Sequence, residues 1–146
     1  MCGIAGIIKR DRQNLVSVEE LKVMTGVIHH RGPDQEGFYN CNNVGLGFRR
    51  LSIIDLSTGN QPIPNENQTI WVIMNGEIYN YKELRNDLIL RGHKFRTSSD
   101  TEVLVHLYEE FGLDMLTNLR GMYAFSIFDQ KKEKLYLVRD RIGIKP

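Results

Sequence analysis

The sequence has little net charge and no long apolar run. Nineteen lysines and arginines against eighteen aspartates and glutamates leave a formal charge of +1, which argues against the cationic surface of a nucleic-acid binder. The longest apolar run, residues 1–8, is far shorter than the ~20 residues that span a bilayer. It also precedes a basic pair instead of following one, which is the reverse of a secretory signal. We therefore expect a cytoplasmic protein that binds neither nucleic acid nor membrane.

Cysteine and histidine are also scarce, and their spacing excludes familiar sites. Cys2 and Cys41 form a poor disulfide framework for a non-secreted chain of 146 residues, so we expect two separate thiols. Neither has a CxxC partner, and the histidine spacing matches no zinc pattern. The glycines at 45 and 47 lack the third glycine of a dinucleotide fingerprint, and no GxxxxGK[ST] occurs. We expect no metal and no nucleotide in this segment. The histidines are His29, His30, His93 and His106.

Apolar segments alternate with turn signals along the whole chain, without a repeat or a linker, which predicts one domain. Strands are expected within residues 4–8, 37–54, 69–74, 122–129 and 134–139. Polar residues followed three positions later by glutamate predict three helix starts, at Ser17 with Glu20, Asn80 with Glu83, and Ser99 with Glu102. Apolar residues at helical spacing follow each start; in the first helix they are Leu21, Met24 and Ile28, with Val23 and Val27 beside them. This order lacks a regular βαβ rhythm and predicts an α+β fold with antiparallel sheets.

Cys2 becomes the first residue once Met1 is removed, and it then carries both a thiol and a free α-amine. The ordinary pKa of a thiol is about 8.5 and that of an α-amine is about 7.7–8.0, so the amine can accept the thiol proton close to neutral pH. A chain terminus activates threonine nucleophiles in the same way. The small Gly3 would let a substrate carbonyl approach the sulfur. A cysteine at this position is also often only a small buried apolar residue, so position 2 alone does not establish a nucleophile.

Cysteine acyl chemistry needs hydrogen-bond donors for a developing oxyanion. Asn75 and Gly76 follow the apolar run 70–74 and offer a side-chain amide and an unhindered backbone N–H. The same Asn-Gly pair is typical of a hairpin turn, and both interpretations stay open on spacing alone. Glu77 is unusual beside a strand-like run, which favours a role beyond turning the chain.

An amino-acid substrate would need a cation for its carboxylate and an anion for its ammonium group. Asp100 stands at a predicted helix start, where it could instead only complement the helix dipole. The candidate cations are Arg31, Arg49 and Arg50, and the candidate anions are Asp34, Glu77 and Asp100.

Six short motifs then combine into a pattern that is more specific than any one of them. They are MCGIAG at 1–6, HRGPD at 30–34, RLSIID at 50–55, NGEIYN at 75–80, SDTEV at 99–103 and RDRIG at 139–143. In this order and at this spacing, the chain resembles the class II glutamine amidotransferase domain of glutamine-hydrolysing asparagine synthetases over nearly its whole length.

The resemblance implies a four-layer αββα N-terminal-nucleophile hydrolase fold with two stacked antiparallel sheets, here C-terminally incomplete. It implies hydrolysis of glutamine to glutamate and ammonia through a cysteine thioester. Cys2 would be the nucleophile with its own α-amine as base, Asn75 and Gly76 would form the oxyanion hole, and the HRGPD turn would shape the pocket. The implied substrate-binding residues are Arg50 for the carboxylate, Asp100 with Glu77 for the amino group, and Leu51 and Ile53 in the arginine motif.

The resemblance further implies a C-terminal synthetase domain that uses the ammonia, ATP and magnesium to amidate aspartate. No SGGxDS-type loop occurs here, so we expect residues 1–146 to be the N-terminal portion of such a protein, without a cofactor of its own; a homodimer is possible. Two alternatives stay open. The absent domain could act on another carboxylate, or the segment could be a non-catalytic docking or regulatory module.

Overall fold

The computed structural model describes residues 2–52 and 59–146. Within these ranges, no helix has the length and apolar character needed to cross a membrane. The strands are β1 (Gly3–Ile8), β2 (Gln35–Cys41), β3 (Val44–Arg50), β4 (Ile63–Pro64), β5 (Ile70–Ile78), β6 (Gly121–Asp129) and β7 (Lys134–Arg139). The helices are α1 (Val18–Val27), α2 (Tyr81–Leu90) and α3 (Glu102–Phe111), with short 3₁₀ segments at His29–Arg31 and Gly112–Thr117.

The strands form two antiparallel sheets, ordered β1-β3-β2 and β4-β5-β6-β7. Helix α1 packs on the first sheet, and the main core lies between the second sheet and helices α2 and α3. A smaller core joins the two sheets through Leu46 and Phe48 on one side and Ile73 and Phe128 on the other. The resulting order of helix, sheet, sheet and helix confirms the predicted α+β class and its two stacked antiparallel sheets.

Strand β3 explains how α1 comes so close to the first sheet. Successive side chains of a strand point to opposite faces, so Leu46 enters the core between the sheets while Gly45 and Gly47 face the helix. A Cβ atom at Gly47 would lie 2.6 Å from Cγ2 of Thr25, and one at Gly45 would lie 2.6 Å from Cγ1 of Val16. The two glycines of the Gly-Leu-Gly pattern therefore allow α1 to pack closely against β3.

The first predicted helix is confirmed together with its start. The Ser17 hydroxyl accepts the backbone N–H of Glu20, and the Glu20 carboxylate accepts the N–H of Ser17 at 2.8 Å. The buried face consists of Leu21 and Thr25. Val23 and Val27, which the periodicity placed beside that face, are 72% and 75% exposed. The narrow contact of α1 with the two β3 glycines leaves these two valines on the solvent side.

The second predicted helix is present, but Asn80 does not cap it through its side chain. The Asn80 amide donates to the carbonyl of Asn118 at 2.9 Å and accepts the N–H of Arg120 at 3.0 Å. These bonds fix the segment that enters β6, so a tertiary contact has replaced the local cap.

The third predicted helix starts later than its sequence pattern indicates. It begins at Glu102, and the Ser99 hydroxyl bonds the N–H of Thr101 instead of closing a capping box. The Glu102 carboxylate accepts the N–H groups of Arg96 and Thr97, each at 2.7 Å. The predicted box is wrong because this glutamate turns back to hold the preceding loop.

Strand β5 is longer than the apolar run that predicted it. Asn75 and Gly76 lie inside the strand, opposite Ala124 and Tyr123 of β6. The turn interpretation of this Asn-Gly pair is therefore wrong, because pairing along the whole of β6 overrides the local turn preference. The predicted β6–β7 hairpin is confirmed. Residues 53–58, which end one predicted strand and begin the following loop, lie outside the described residues.

Asp140 organises the segment that follows β7. Its carboxylate accepts the N–H groups of Ile142 at 3.2 Å, Ile144 at 2.9 Å, Lys145 at 3.1 Å and Tyr123 at 3.2 Å. Burial alone would raise the pKa of Asp140, but the backbone hydrogen bonds outweigh it and lower that pKa to about 2. The charged form is therefore the one that the fold stabilises.

We predict that Asp140→Asn lowers Tm at neutral pH, because the amide accepts fewer of these hydrogen bonds and carries no charge. A lowered folded-state pKa contributes stability above the unfolded-state value of about 3.9 and loses it as pH falls through about 2. The Tm difference between wild type and variant, followed by circular dichroism, should thus be full near neutral pH and shrink in acid. Asp114→Asn, at an exposed position, serves as control. A difference that stays constant into strong acid would contradict this account.

Candidate active site

The residues selected from the sequence come from distant segments and meet at one cavity. Its walls include Cys2, Arg50, Leu51, Gly76, Glu77 and Asp100. Asn75 is buried directly behind Cys2, as described below, and Ile53 lies outside the part of the chain that the structure describes. The cavity lies where the N-terminal end of β1, the C-terminal ends of β3 and β5, and the segment before α3 come together.

The position of Cys2 follows from the pairing of β1 with β3. The antiparallel register places Gly3 opposite Arg49, so Cys2 lies beside the end of β3. The Cys2 sulfur is 3.6 Å from the carbonyl oxygen of Leu51. Cys2 and Cys41 are both free thiols, as predicted, and Cys2 is half-buried. The thiol is therefore held at the cavity while remaining accessible.

Two side chains hold the backbone carbonyl of Cys2. Arg31 donates to it from Nε at 3.2 Å. In the amide orientation that satisfies both of its neighbours, Asn75 donates from Nδ2 to the same oxygen at 3.1 Å and accepts from Nη2 of Arg31 at 3.3 Å. Arg31 is thus a positioning residue for the thiol. The oxyanion role of Asn75 stays a prediction, and its side chain contacts the backbone of Cys2.

The HRGPD turn packs against the end of β3. A Cβ at Gly32 would lie within 2.6 Å of the peptide between Arg49 and Arg50, so only glycine allows this approach. The N–H of Asp34 donates to the carbonyl of Arg50 at 3.0 Å, and the Asp34 carboxylate accepts the N–H of Ser52 at 2.8 Å. These contacts fix the segment that carries Arg50 and Leu51 into the cavity wall.

Arg50 is 4% exposed. Its Nη1 donates to the Gln35 side-chain oxygen at 2.9 Å and to the Asn60 side-chain oxygen at 2.8 Å. Both of these acceptors are neutral amide oxygens, and they help to orient the guanidinium. A permanent cation is thereby built into the cavity wall.

Two carboxylates, those of Glu77 and Asp100, face the same cavity. Asp100 is 5% exposed, and its Oδ2 accepts the N–H of Ile78 at 2.9 Å. Burial raises the pKa of Asp100, the bond from Ile78 opposes this, and the nearby charge of Glu77 raises the pKa further. Because two close carboxylates repel each other, a cation between them lowers their energy. This part of the cavity therefore favours a positively charged group.

Gln61 is a site residue that the sequence analysis missed. Its side-chain oxygen accepts the N–H of Met74 at 2.6 Å, and its amide donates to the Thr101 hydroxyl at 3.1 Å. It thereby ties β5 to the segment that carries Asp100, and it lines the cavity. Gln61 lies in a polar loop and belongs to no recognisable local pattern, so only the three-dimensional structure identifies it.

The glycines near Cys2 allow close packing of the backbone. A Cβ at Gly76 would overlap the Met122 carbonyl oxygen and lie 2.6 Å from Cα of Tyr123, because β6 passes directly beside it. A Cβ at Gly3 would lie 2.9 Å from Cδ1 of Ile28. The small size of Gly3 is therefore used against the segment after α1, whereas the sequence interpretation placed it on the substrate side.

Comparison with known proteins identifies the family. The family model described as "Glutamine amidotransferase domain" matches residues 1–146, and the chain belongs to this family. The chain is 50% identical to "Asparagine synthetase [glutamine-hydrolyzing] 2" of Bacillus subtilis (strain 168), with 100% of this chain and 20% of that protein covered. It is 40% identical to "Asparagine synthetase [glutamine-hydrolyzing] 1" of Arabidopsis thaliana, with 99% and 24% covered. The chain thus spans a quarter or less of the length of these curated relatives.

A solved structure of glutamine phosphoribosylpyrophosphate amidotransferase from B. subtilis has the same fold. The match has a TM-score of 0.61 and 25% sequence identity, and it covers 98% of this chain and 32% of that one. The family assignment made from the sequence motifs is confirmed, as is the predicted fold.

We predict that Gly76→Ala destabilises the fold by about 1–3 kcal/mol, because the added methyl group must displace the β6 backbone. Gly26→Ala in α1 is a matched control, since a Cβ there would have no atom within 4 Å. The control should stabilise by about 0.4–1 kcal/mol through higher helix propensity. Urea unfolding of both variants gives the two values. Equal stability of Gly76→Ala and wild type would show that β6 does not constrain this position.

Proposed function

We propose that this domain hydrolyses glutamine to glutamate and ammonia with Cys2 as the nucleophile. The observation that carries the proposal is one cavity lined by the Cys2 thiol, the Arg50 guanidinium and the carboxylates of Glu77 and Asp100. An amino-acid zwitterion can offer its carboxylate to the arginine and its ammonium group to the two acids. Its side chain is then free to approach the sulfur. The relatives' names specify glutamine hydrolysis, which makes the side-chain amide the group attacked.

In the first half-reaction, the α-amine of Cys2 takes the thiol proton after Met1 has been removed. The sulfur attacks the side-chain amide carbon of glutamine, a C–S bond forms, and the carbonyl oxygen becomes an oxyanion. The protonated amine then gives its proton to the nitrogen. The C–N bond breaks, ammonia leaves, and a thioester to Cys2 remains.

In the second half-reaction, a water molecule attacks the thioester while the neutral α-amine accepts one of its protons. The C–S bond breaks, glutamate is released, and the sulfur recovers a proton from the amine. Because the amine must be neutral at both stages, the rate should rise with pH toward the ordinary α-amine range of about 7.7–8.0.

Asn75 can serve both the nucleophile and the oxyanion. An amide nitrogen carries two N–H groups, and one of them is used on the Cys2 carbonyl. We assign the second N–H, together with the backbone N–H of Gly76, to the oxyanion. Leu51 and Ile53 are proposed to contact the substrate from the arginine motif. The proposal for Ile53 comes from the family resemblance alone.

We further propose that the ammonia serves ATP- and magnesium-dependent amidation of aspartate by the portion of the longer relatives that this chain does not match. The names of those relatives, asparagine synthetases, support aspartate over another acceptor. On this proposal, the segment itself binds glutamine and needs no cofactor, works in the cytoplasm without nucleic acid or membrane, and is compatible with a homodimer.

The deciding experiment compares glutamate release by wild type, Cys2→Ala and Cys41→Ala. We expect Cys2→Ala to abolish release because no other group in the mechanism can form the thioester. Cys41→Ala should keep wild-type activity, since Cys41 lies at the end of β2 and does not line the cavity. Asparagine, one methylene shorter, serves as the substrate control.

Release that persists unchanged in Cys2→Ala would remove Cys2 from the mechanism. A folded wild type that neither binds nor hydrolyses glutamine would instead favour the docking or regulatory module.

A further inference from the structure

A second cluster of ionisable side chains lies away from the cavity. Its four residues come from three parts of the chain: the loop after β4, the segment after α2, and helix α3 itself. One potential ligand atom from each residue lies within 4.8 Å of the other three. None of the four lines the candidate active site. They are Glu66, His93, His106 and Glu109.

Two of the separations between these atoms match those of a tetrahedral metal site, and a third is slightly longer. Nδ1 of His106 lies 3.3 Å from Oε2 of Glu109 and 3.6 Å from Oε2 of Glu66. Nδ1 of His93 lies 3.8 Å from the same Glu109 oxygen. In a tetrahedral zinc site with bonds of about 2.0–2.2 Å, neighbouring ligand atoms are about 3.3–3.6 Å apart. All four atoms lie within 4.8 Å of one another, so the side chains would close around an ion placed among them.

Each carboxylate is already oriented by a partner on its other oxygen. Oε1 of Glu109 accepts from the Asn65 amide at 2.7 Å, and Oε1 of Glu66 accepts the N–H of Lys94 at 3.1 Å. Oε2 of both residues is thereby directed towards the histidines. Such outer partners fix the ligands of protein metal sites.

The two imidazoles are arranged in the same way. Each presents Nδ1 to the cluster and Nε2 to a carboxylate outside it: Nε2 of His93 is 3.4 Å from Glu110, and Nε2 of His106 is 3.7 Å from Glu102. If a metal takes the Nδ1 lone pair, the ring proton must lie on Nε2, where a carboxylate stands behind each ring.

Hydrogen bonding alone does not account for the surroundings of the His106 ring. Its side chain is 1% exposed, and among the residues that the structure describes its Nε2 has no hydrogen-bond partner. Its Nδ1 faces two carboxylate oxygens but can donate only one proton. A metal ion on Nδ1 would satisfy both carboxylates at once and leave Nε2 protonated towards Glu102.

We propose that Glu66, His93, His106 and Glu109 bind one Zn²⁺ ion. Two imidazole nitrogens and two carboxylate oxygens are zinc ligands, whereas magnesium and calcium prefer six or more oxygens. The two carboxylates balance the charge of the ion. The metal would cross-link the loop after β4 and the segment after α2 to α3, and so stabilise the helical layer.

The test is calorimetric titration of the metal-free chain with zinc chloride. All proteins carry Cys2→Ala, because the Cys2 thiol and the α-amine could themselves bind zinc. We expect one ion per chain and a higher Tm with zinc present. His93→Gln and Glu109→Gln should each weaken binding about tenfold or more and abolish the rise in Tm. His29→Gln, at an exposed histidine outside the cluster, is the matched control and should bind as tightly as its parent.

Thermal unfolding without metal identifies which variants are folded, and only those are compared. A second readout uses Co²⁺, whose visible spectrum should show tetrahedral coordination in the parent and lose it in His93→Gln. The proposal is overturned if the folded parent binds no zinc. It is equally overturned if His93→Gln and Glu109→Gln bind zinc as tightly as the parent.

Discussion

The whole site depends on how the first residues of the chain are held. A terminal residue has a neighbour on one side only and ordinarily frays. Here β1 pairs with β3 from Gly3 onward, and Arg31 and Asn75 both bond the carbonyl of Cys2. The carbonyl side of Cys2 is therefore fixed by strand pairing and by two hydrogen bonds that are themselves linked, because Asn75 accepts from Arg31. These contacts hold Cys2 at the wall of the cavity.

The cavity around Cys2 is built from segments of both sheets. Strand β5 carries Asn75, Gly76 and Glu77 past Cys2 in one extended run, which a hairpin turn at Asn-Gly would have interrupted. Gln61 ties this strand to the segment of Asp100, and the HRGPD turn fixes the end of β3. Each of these elements places or orients part of the cavity wall, and the parts converge because the two sheets stack.

Local sequence patterns were sufficient to predict the fold class and most of the residues selected here that line the cavity. The capping box at Ser17, the β6–β7 hairpin and the family motifs are readable because each depends on residues close in sequence. The features that the sequence analysis did not predict depend on contacts made only in the folded chain. Glu102 bonds the preceding loop, and Gln61 bridges two elements. The cluster around His93 and His106 has no recognisable sequence spacing because its four residues come from three parts of the fold.

The central claim is that a single terminal residue supplies both the nucleophile and its base. The most direct measurement treats a mixture of chains with and without Met1 with an electrophilic chloroketone analogue of glutamine, followed by mass spectrometry of the peptides. The account predicts a label on Cys2 only in chains that have lost Met1, with glutamine protecting against it. Equal labelling of Cys2 in chains that retain Met1, or labelling confined to Cys41, would contradict it.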